Sequence, residues 1–322
     1  MREGPLRIII PGGSGQIGRL LARHFRRQNH SVTVLARHAQ QSEWNVLLWD
    51  GRTLESWARV IDGADVVINL AGHTVNCRYN AHNRREILES RVHTTRLVGE
   101  AIAAASSPPA VWLNASTATI YRHSFDRAQD EGGELGGSEP DAPEKWRFST
   151  DVARAWEQAL WEAPTPHTRK VALRSAMVMS PDAGGVFDRL LWLVRAGLGG
   201  PAGSGRQFVS WIHEIDFIRA IEFLIEREDL SGPVNIASPA PIPNREFMHC
   251  LRQAWCPYYI GLPLPRPILE IGAIFLRTET ELLLKSRRVV PGRLLAAGFE
   301  FHFPQWRGAC WDLVERWRDL HA

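Results

Sequence analysis

The stretch Leu6-Arg7-Ile8-Ile9-Ile10-Pro11-Gly12-Gly13-Ser14-Gly15-Gln16-Ile17-Gly18 decides the fold. The mainly apolar run over residues 6–10 reads as a parallel strand buried on both faces. A helix is expected over residues 15–28, with Ile17, Leu20, Leu21 and Phe25 on one side. Between strand and helix stand three glycines at a spacing of three. Gly12 permits a tight turn, Gly15 lets backbone N–H groups approach a pyrophosphate, and Gly18 lets helix pack closely on strand. The helix N-terminus at Gln16 and Ile17 adds its dipole and unpaired donors. Three glycines in a loop can simply make a turn. Their strand–turn–helix setting is what points to a dinucleotide.

Outward from this motif, short β-branched runs alternate with helical patterns. Strands are expected over residues 31–36, 46–49, 64–70, 111–115 and 170–173, and helices over 83–105 and 146–160. The Gly-, Pro- and acid-rich residues 130–143 read as a surface loop. This order predicts an α/β fold, a Rossmann-type doubly wound parallel sheet with helices on both faces. After residue 174 the texture changes, with Gly-Pro breaks over 197–205 and 239–243. Residues 1–174 are therefore expected to form the dinucleotide-binding domain, and residues 175–211 and 237–322 a smaller, mostly helical substrate-side domain. A helix over 214–226 and a strand over 233–236 are expected to return to the sheet. In the last third, Thr278 with Glu281 suggests a capping box and Gly298 a helix stop. The apolar residues 268–276, which include Glu270, read as a packed helix.

Composition narrows the class further. The 322 residues carry a formal charge of only +3, which gives no reason to expect a polyanion such as nucleic acid. The basic pairs Arg84-Arg85 and Arg287-Arg288 read as solvated helix faces, although Lys285, Arg287 and Arg288 could also form an anion site or meet a second subunit. Cys77, Cys250, Cys256 and Cys310 show no metal-ligand spacing, so no metal site is expected. Scattered cysteines, no apolar leader over residues 1–5 and no membrane-length apolar run lead to the expectation of a cytoplasmic protein.

The second strand ends in Leu35-Ala36-Arg37-His38. An acid in this region would hydrogen-bond a ribose 2′-hydroxyl and favour NAD(H), whereas an arginine accommodates the 2′-phosphate of NADP(H). Arg37 therefore favours NADP(H), with NAD(H) as the second choice and a solvated arginine as the plain alternative.

The glycine motif together with Asn69-Leu70-Ala71-Gly72 resembles the extended short-chain dehydrogenase/reductases, the superfamily of nucleotide-sugar epimerases and dehydratases. The chain is more similar to an atypical, epimerase-like subgroup. The marks are Ser90-Arg91, Thr94-Thr95-Arg96, Ser116-Thr117-Ala118-Thr119-Ile120-Tyr121, Trp156-Glu157, Ser210-Trp211-Ile212-His213 and the tail over residues 284–291. The resemblance implies that Gly12, Gly15 and Gly18 hold the pyrophosphate and Arg37 faces the adenosine ribose. It also implies that Asp50 lies near adenine, that Leu70, Ala71 and Gly72 wall the nicotinamide side, and that Ser116 or Thr117 is the active-site hydroxyl. Homodimerisation through the two long helices is a further expectation of the family.

One departure stands out. The family's Tyr-x-x-x-Lys pair, one helical turn apart so that both face the cleft, is here Phe148 and Val152, neither of which can exchange a proton. Tyr121 is a candidate replacement or a packing tyrosine with its hydroxyl tied up. Lys145 is either a cleft residue or a surface lysine. Arg206, Trp211 and His213 are candidates for the substrate side, with core packing as the alternative for the last two. The reading is an NADP(H)-binding, epimerase-like oxidoreductase acting on a small substrate. The alternative is a non-catalytic protein that senses NADP(H).

Overall fold

Residues 8–10 supply both faces of the sheet at once. Ile8 and Ile10 join one hydrophobic cluster with Leu21 and Phe25, while Ile9 joins another with Leu35, Val67 and Trp112. A continuous apolar run, rather than an alternating one, follows directly from this double burial. A computed structural model describes residues 4–137, 139, 144–258, 261–263 and 281–322, with the backbone alone at 144, 145, 282 and 283. Thr278 of the expected capping box, the apolar residues 268–276 and the side chain of Lys145 lie outside the described residues.

The chain enters through β1 (Arg7–Pro11), α1 (Gln16–Arg27), β2 (Ser31–Ala36), β3 (Asn45–Leu48) and β4 (Val66–Asn69). It continues through α2 (Ala81–Ala104), β5 (Val111–Thr117), α3 (Glu144–Glu162) and β6 (Arg169–Ser175). Smaller elements follow: β7 (Met177–Met179), α4 (Val186–Arg195), β8 (Phe208–Val209) and β9 (Trp211–His213). Then come α5 (Glu214–Glu226), β10 (Gly232–Ile236), β11 (Ile242–Pro243), α6 (Asn244–Trp255) and, last, α7 (Trp306–His321).

Seven parallel strands form the sheet in the order β10-β6-β5-β4-β1-β2-β3. The order reverses between β1 and β4, so the crevice at their carboxyl ends is the topological switch point. Helices α1 and α5 cover one face through Leu21, Phe25, Phe217 and Leu224. The other face packs Leu97 and Val98 of α2 and Leu160 of α3 against Trp112. As the sequence suggests, α5 and β10 return to the sheet, with Val234 level with Leu173 of β6.

Around β7 and β9 a separate core forms. Trp306 stacks on Phe247 with ring centroids 4.0 Å apart and meets Trp211 at 5.0 Å. Near the end of the chain, Gly298 closes a short helical turn (Gly292–Ala296) at φ +82°. Its N–H donates to the Leu295 carbonyl and that of Phe299 to the Leu294 carbonyl, the helix stop expected of this glycine.

Candidate active site

The three glycines of the turn do different work. Gly12 has φ +74°, and a Cβ there would lie 2.5 Å from the Ala71 Cα, so the turn rests directly on the backbone leaving β4. A Cβ on Gly18 would lie 2.3 Å from the Gly13 Cα, so α1 is seated on the turn itself. At Gly15 a Cβ would meet nothing of the protein closer than 3.9 Å. Gly15 is the N-cap of α1; no side chain caps that helix, and its first turn holds no acid. Room above Gly15 and uncapped first-turn N–H groups make a cradle for an anionic group. The side chain of Gln16 goes elsewhere: its amide reaches the Asp182 carbonyl at 3.4 Å, while Arg23 pairs with the Asp182 carboxylate at 2.7 Å. Gln16 and Ile17 can therefore serve the cradle through their backbone.

A cleft of about 1090 Å³ opens over this turn, lined among others by Gly12, Gly15, Arg37, Asp50, Leu70, Ala71 and Gly72. Arg37 is exposed and has no ion pair or side-chain hydrogen bond among the described residues. The Asp50 carboxylate is committed to its own turn. It accepts from the backbone N–H groups of Arg52 (2.7 Å) and Thr53 (2.9 Å) and from the Thr53 hydroxyl, and these bonds hold it below its ordinary pKa. Its contribution to the wall is thus the shape of the Asp50–Thr53 turn. Beneath the opposite wall, the buried Asn69 amide donates to Asn114 at 2.7 Å and its carbonyl accepts from the Ala71 N–H at 3.2 Å. This clamp ties the end of β4 to the middle of β5, and its only signal in the sequence is an asparagine directly after the apolar run of each strand.

At the end of β5 neighbouring hydroxyls part company. Ser116 is buried and donates to Glu157 at 2.6 Å. Glu157 holds Arg174 through two bonds of 2.8 Å, and Arg174 donates to the Tyr121 hydroxyl at 2.9 Å. Tyr121, 1% exposed, donates in turn to Asn235 at 2.8 Å. Burial pushes its phenol up, and the residue is not on the cleft wall. Ser116 and Tyr121, expected as active-site hydroxyls, are therefore corrected to members of a buried polar network whose bonds use them up. Thr117 is half-buried; its oxygen accepts from the Thr119 N–H at 3.1 Å, and its proton is not used in any bond among the described residues. Phe148 stands edge-on to Tyr79 with centroids 5.3 Å apart, and Val152 is buried.

The substrate-side candidates separate as well. Arg206 is exposed. Trp211 is fully buried, its indole N–H donating to the Ala240 carbonyl at 3.2 Å, and it belongs to the core around Trp306. His213 is fully buried too and stacks on Phe303 at 3.9 Å. Its Nδ1 accepts the Ile215 N–H at 3.1 Å, so Nε2 carries the proton donated to Asp312 at 2.9 Å. Trp211 and His213 are corrected to packing and capping residues, because α7 and the segment before it cover them. The solvated helix face expected of the tail is corrected likewise. Lys285 and Arg287 are 2% and 8% exposed. Lys285 donates to the Thr119 carbonyl at 3.0 Å, and burial pushes its ammonium down to about 8. Ser286 beside it donates its hydroxyl to the Ser124 carbonyl at 2.6 Å and its backbone N–H to His123 Nδ1 at 2.8 Å.

A glycine turn at the switch point of a parallel sheet, with a cleft above it, defines a Rossmann-type α/β protein. The model of the NAD dependent epimerase/dehydratase family matches residues 8–237, and that of a domain of unknown function (DUF1731) matches residues 264–313. The chain is 32% identical over 315 residues to the epimerase family protein SDR39U1 of Bos taurus, covering 96% of this chain and 100% of the relative. It is 33% identical over 296 residues to the epimerase family protein Mb2239 of Mycobacterium bovis, covering 92% and 93%. A crystal structure of human epimerase family protein SDR39U1 (isoform2) with NADPH is similar at a TM-score of 0.83 and 30% identity, covering 96% and 99% of the two chains. The chain belongs to the NAD-dependent epimerase/dehydratase family. Among the described residues no helix is long and apolar enough to cross a membrane.

Two predictions follow from this geometry. Gly12→Ala should lose more than about 2 kcal/mol of unfolding free energy, from the left-handed backbone and the Ala71 clash. Gly15→Ala, at φ −72° with open space above it, should stay within about 0.5 kcal/mol of the parent. Equal losses in urea unfolding would contradict the division of labour. For His213, burial pushes the pKa from 6.5 down to about 4. The unfolded chain takes up this proton first, so stability is present above pH 6.5 and is lost as the pH falls toward 4. Between pH 7 and pH 5, His213→Asn should remove about 2 kcal/mol of the parent's loss in unfolding free energy. An unchanged slope would show that His213 is not held neutral.

Proposed function

We propose that the cleft binds NADP(H) and that the protein is an epimerase-like oxidoreductase acting on a small substrate. The observation that carries the reading is Arg37: a guanidinium on the cleft wall at the end of β2, with no partner among the described residues and no acid beside it. An acid there would favour the free ribose hydroxyl, and an arginine matches a 2′-phosphate in charge and fork geometry. The human relative crystallised with NADPH supports the same choice.

The residues present fit the group. The open space over Gly15 and the uncapped N–H groups of α1 would receive the pyrophosphate, with Gly12 and Gly18 keeping the turn tight. Arg37 would hold the 2′-phosphate, the Asp50–Thr53 turn would flank the adenine, and Leu70, Ala71 and Gly72 would wall the nicotinamide side. When bound, the nicotinamide supplies hydride chemistry. The chain itself orients substrate at the end of β5, where the half-buried Thr117 hydroxyl can donate to a substrate oxygen.

Titration with NADPH and with NADH, followed by tryptophan quenching, tests the reading. The parent should prefer NADPH. Arg37→Glu should weaken NADPH at least about tenfold, the loss of charge-assisted bonds to the phosphate, and leave NADH binding nearly unchanged. Equal weakening of both would remove Arg37 as the phosphate partner. Binding of neither by the parent would overturn the proposal.

A further inference from the structure

A second guanidinium stands on the same cleft wall as Arg37. Arg52 lines the cleft, is exposed, and has no ion pair or side-chain hydrogen bond among the described residues. The sheet brings the two arginines to one place. Strands β2 and β3 are neighbours, with Ala36 level with Leu48 and the Trp49 N–H donating to the Ala36 carbonyl at 3.1 Å. Arg37 is the first residue past β2, and Arg52 stands in the turn that follows β3. Both therefore belong to the carboxyl end of one strand pair.

The backbone of Arg52 is held from two sides. Its N–H donates to the Asp50 carboxylate at 2.7 Å, and its carbonyl accepts the Nε2 proton of His93 on α2 at 2.7 Å. Gly51 makes the turn at φ +66°, a conformation that costs glycine little. The result is an unbonded side chain on an anchored backbone, a donor set in place before any ligand arrives. Nor is its charge answered nearby. Asp50 spends its oxygens on the Arg52 and Thr53 N–H groups and the Thr53 hydroxyl. Glu55 takes a longer share of that hydroxyl, at 3.2 Å, and is not on the cleft wall. The other acids of the wall, Glu89 and Glu86, stand one and two helical turns before His93 on α2.

We propose that Arg52 is the second arm of a clamp that selects the 2′-phosphate, with Arg37 and Arg52 holding one phosphate between them. The inference rests on the NADP(H) reading above and adds a selectivity residue to it. A phosphate monoester carries close to two negative charges at neutral pH and three acceptor oxygens. One guanidinium fork engages two oxygens and supplies one positive charge, so it leaves both an oxygen and a charge unanswered. Two forks match the dianion. The same pair works against NADH, because without the phosphate two like charges remain on one wall with nothing between them.

Fragments of the dinucleotide test the clamp on the full chain. The parent, Arg52→Gln and Arg37→Gln are titrated by calorimetry with 2′,5′-ADP, which carries the 2′-phosphate, and with 5′-AMP, which lacks it. Arg52→Gln should weaken 2′,5′-ADP about fivefold or more and leave 5′-AMP within about twofold. The ³¹P resonance of the bound 2′-phosphate gives a second readout that a merely structural role would not move. In the parent it should hold its dianion position to a lower pH than in Arg52→Gln, because a nearby cation favours the charged form. Equal weakening of the two fragments, or an affinity or a ³¹P titration that Arg52→Gln leaves unchanged, removes Arg52 from the clamp. If Arg37→Gln then still weakens 2′,5′-ADP alone, the NADP(H) reading stands without it. A parent that binds the two fragments equally overturns both proposals.

Discussion

Everything at the site depends on how closely the glycine turn approaches the backbone leaving β4. Gly12 lies so near Ala71 that no side chain fits between them, and Gly18 seats α1 on Gly13 in the same way. These two contacts fix the angle at which α1 leaves the sheet and aim its first-turn N–H groups along the crevice between β1 and β4. The Asn69–Asn114 clamp holds the other side of the same junction. With both sides held by backbone and by short, buried amide bonds, Gly15 alone is left facing open space.

A second constraint runs through the buried pair of Glu157 and Arg174. Removing two charges from water is costly, and the cost is offset here by a two-bond fork and by Ser116 and Tyr121 taking up the remaining bonding capacity. The pair links α3 to β6, and Ser116 and Tyr121 extend it to β5 and, through Asn235, to β10. It holds the end of β5 in a fixed twist, so that Ser116 turns inward while Thr117 remains half-exposed. The hydroxyls in this segment are chemically alike, and this network is what separates them.

The legible parts of the sequence were local ones. The strand–turn–helix unit over residues 6–28 and the Gly298 stop depend on neighbours a few residues away, and backbone chemistry reveals them, whereas the Leu70-Ala71-Gly72 wall is legible only through the family resemblance. His213 and Trp211 were not legible, because their burial is supplied by Asp312, Phe303 and Trp306 from far along the chain. Lys285 and Arg287 look like a basic helix face in sequence, yet residues 119–129 and 208–210 fold over them.

On the reading proposed above, the cleft holds a dinucleotide carrying a 2′-phosphate. A crystal structure of this chain grown with NADPH tests it most directly. The pyrophosphate should then lie over Gly15 at the N-terminus of α1, and the 2′-phosphate within hydrogen-bond reach of the Arg37 guanidinium. A dinucleotide bound with its 2′-phosphate turned away from Arg37, or a pyrophosphate seated anywhere but over Gly15, would contradict it.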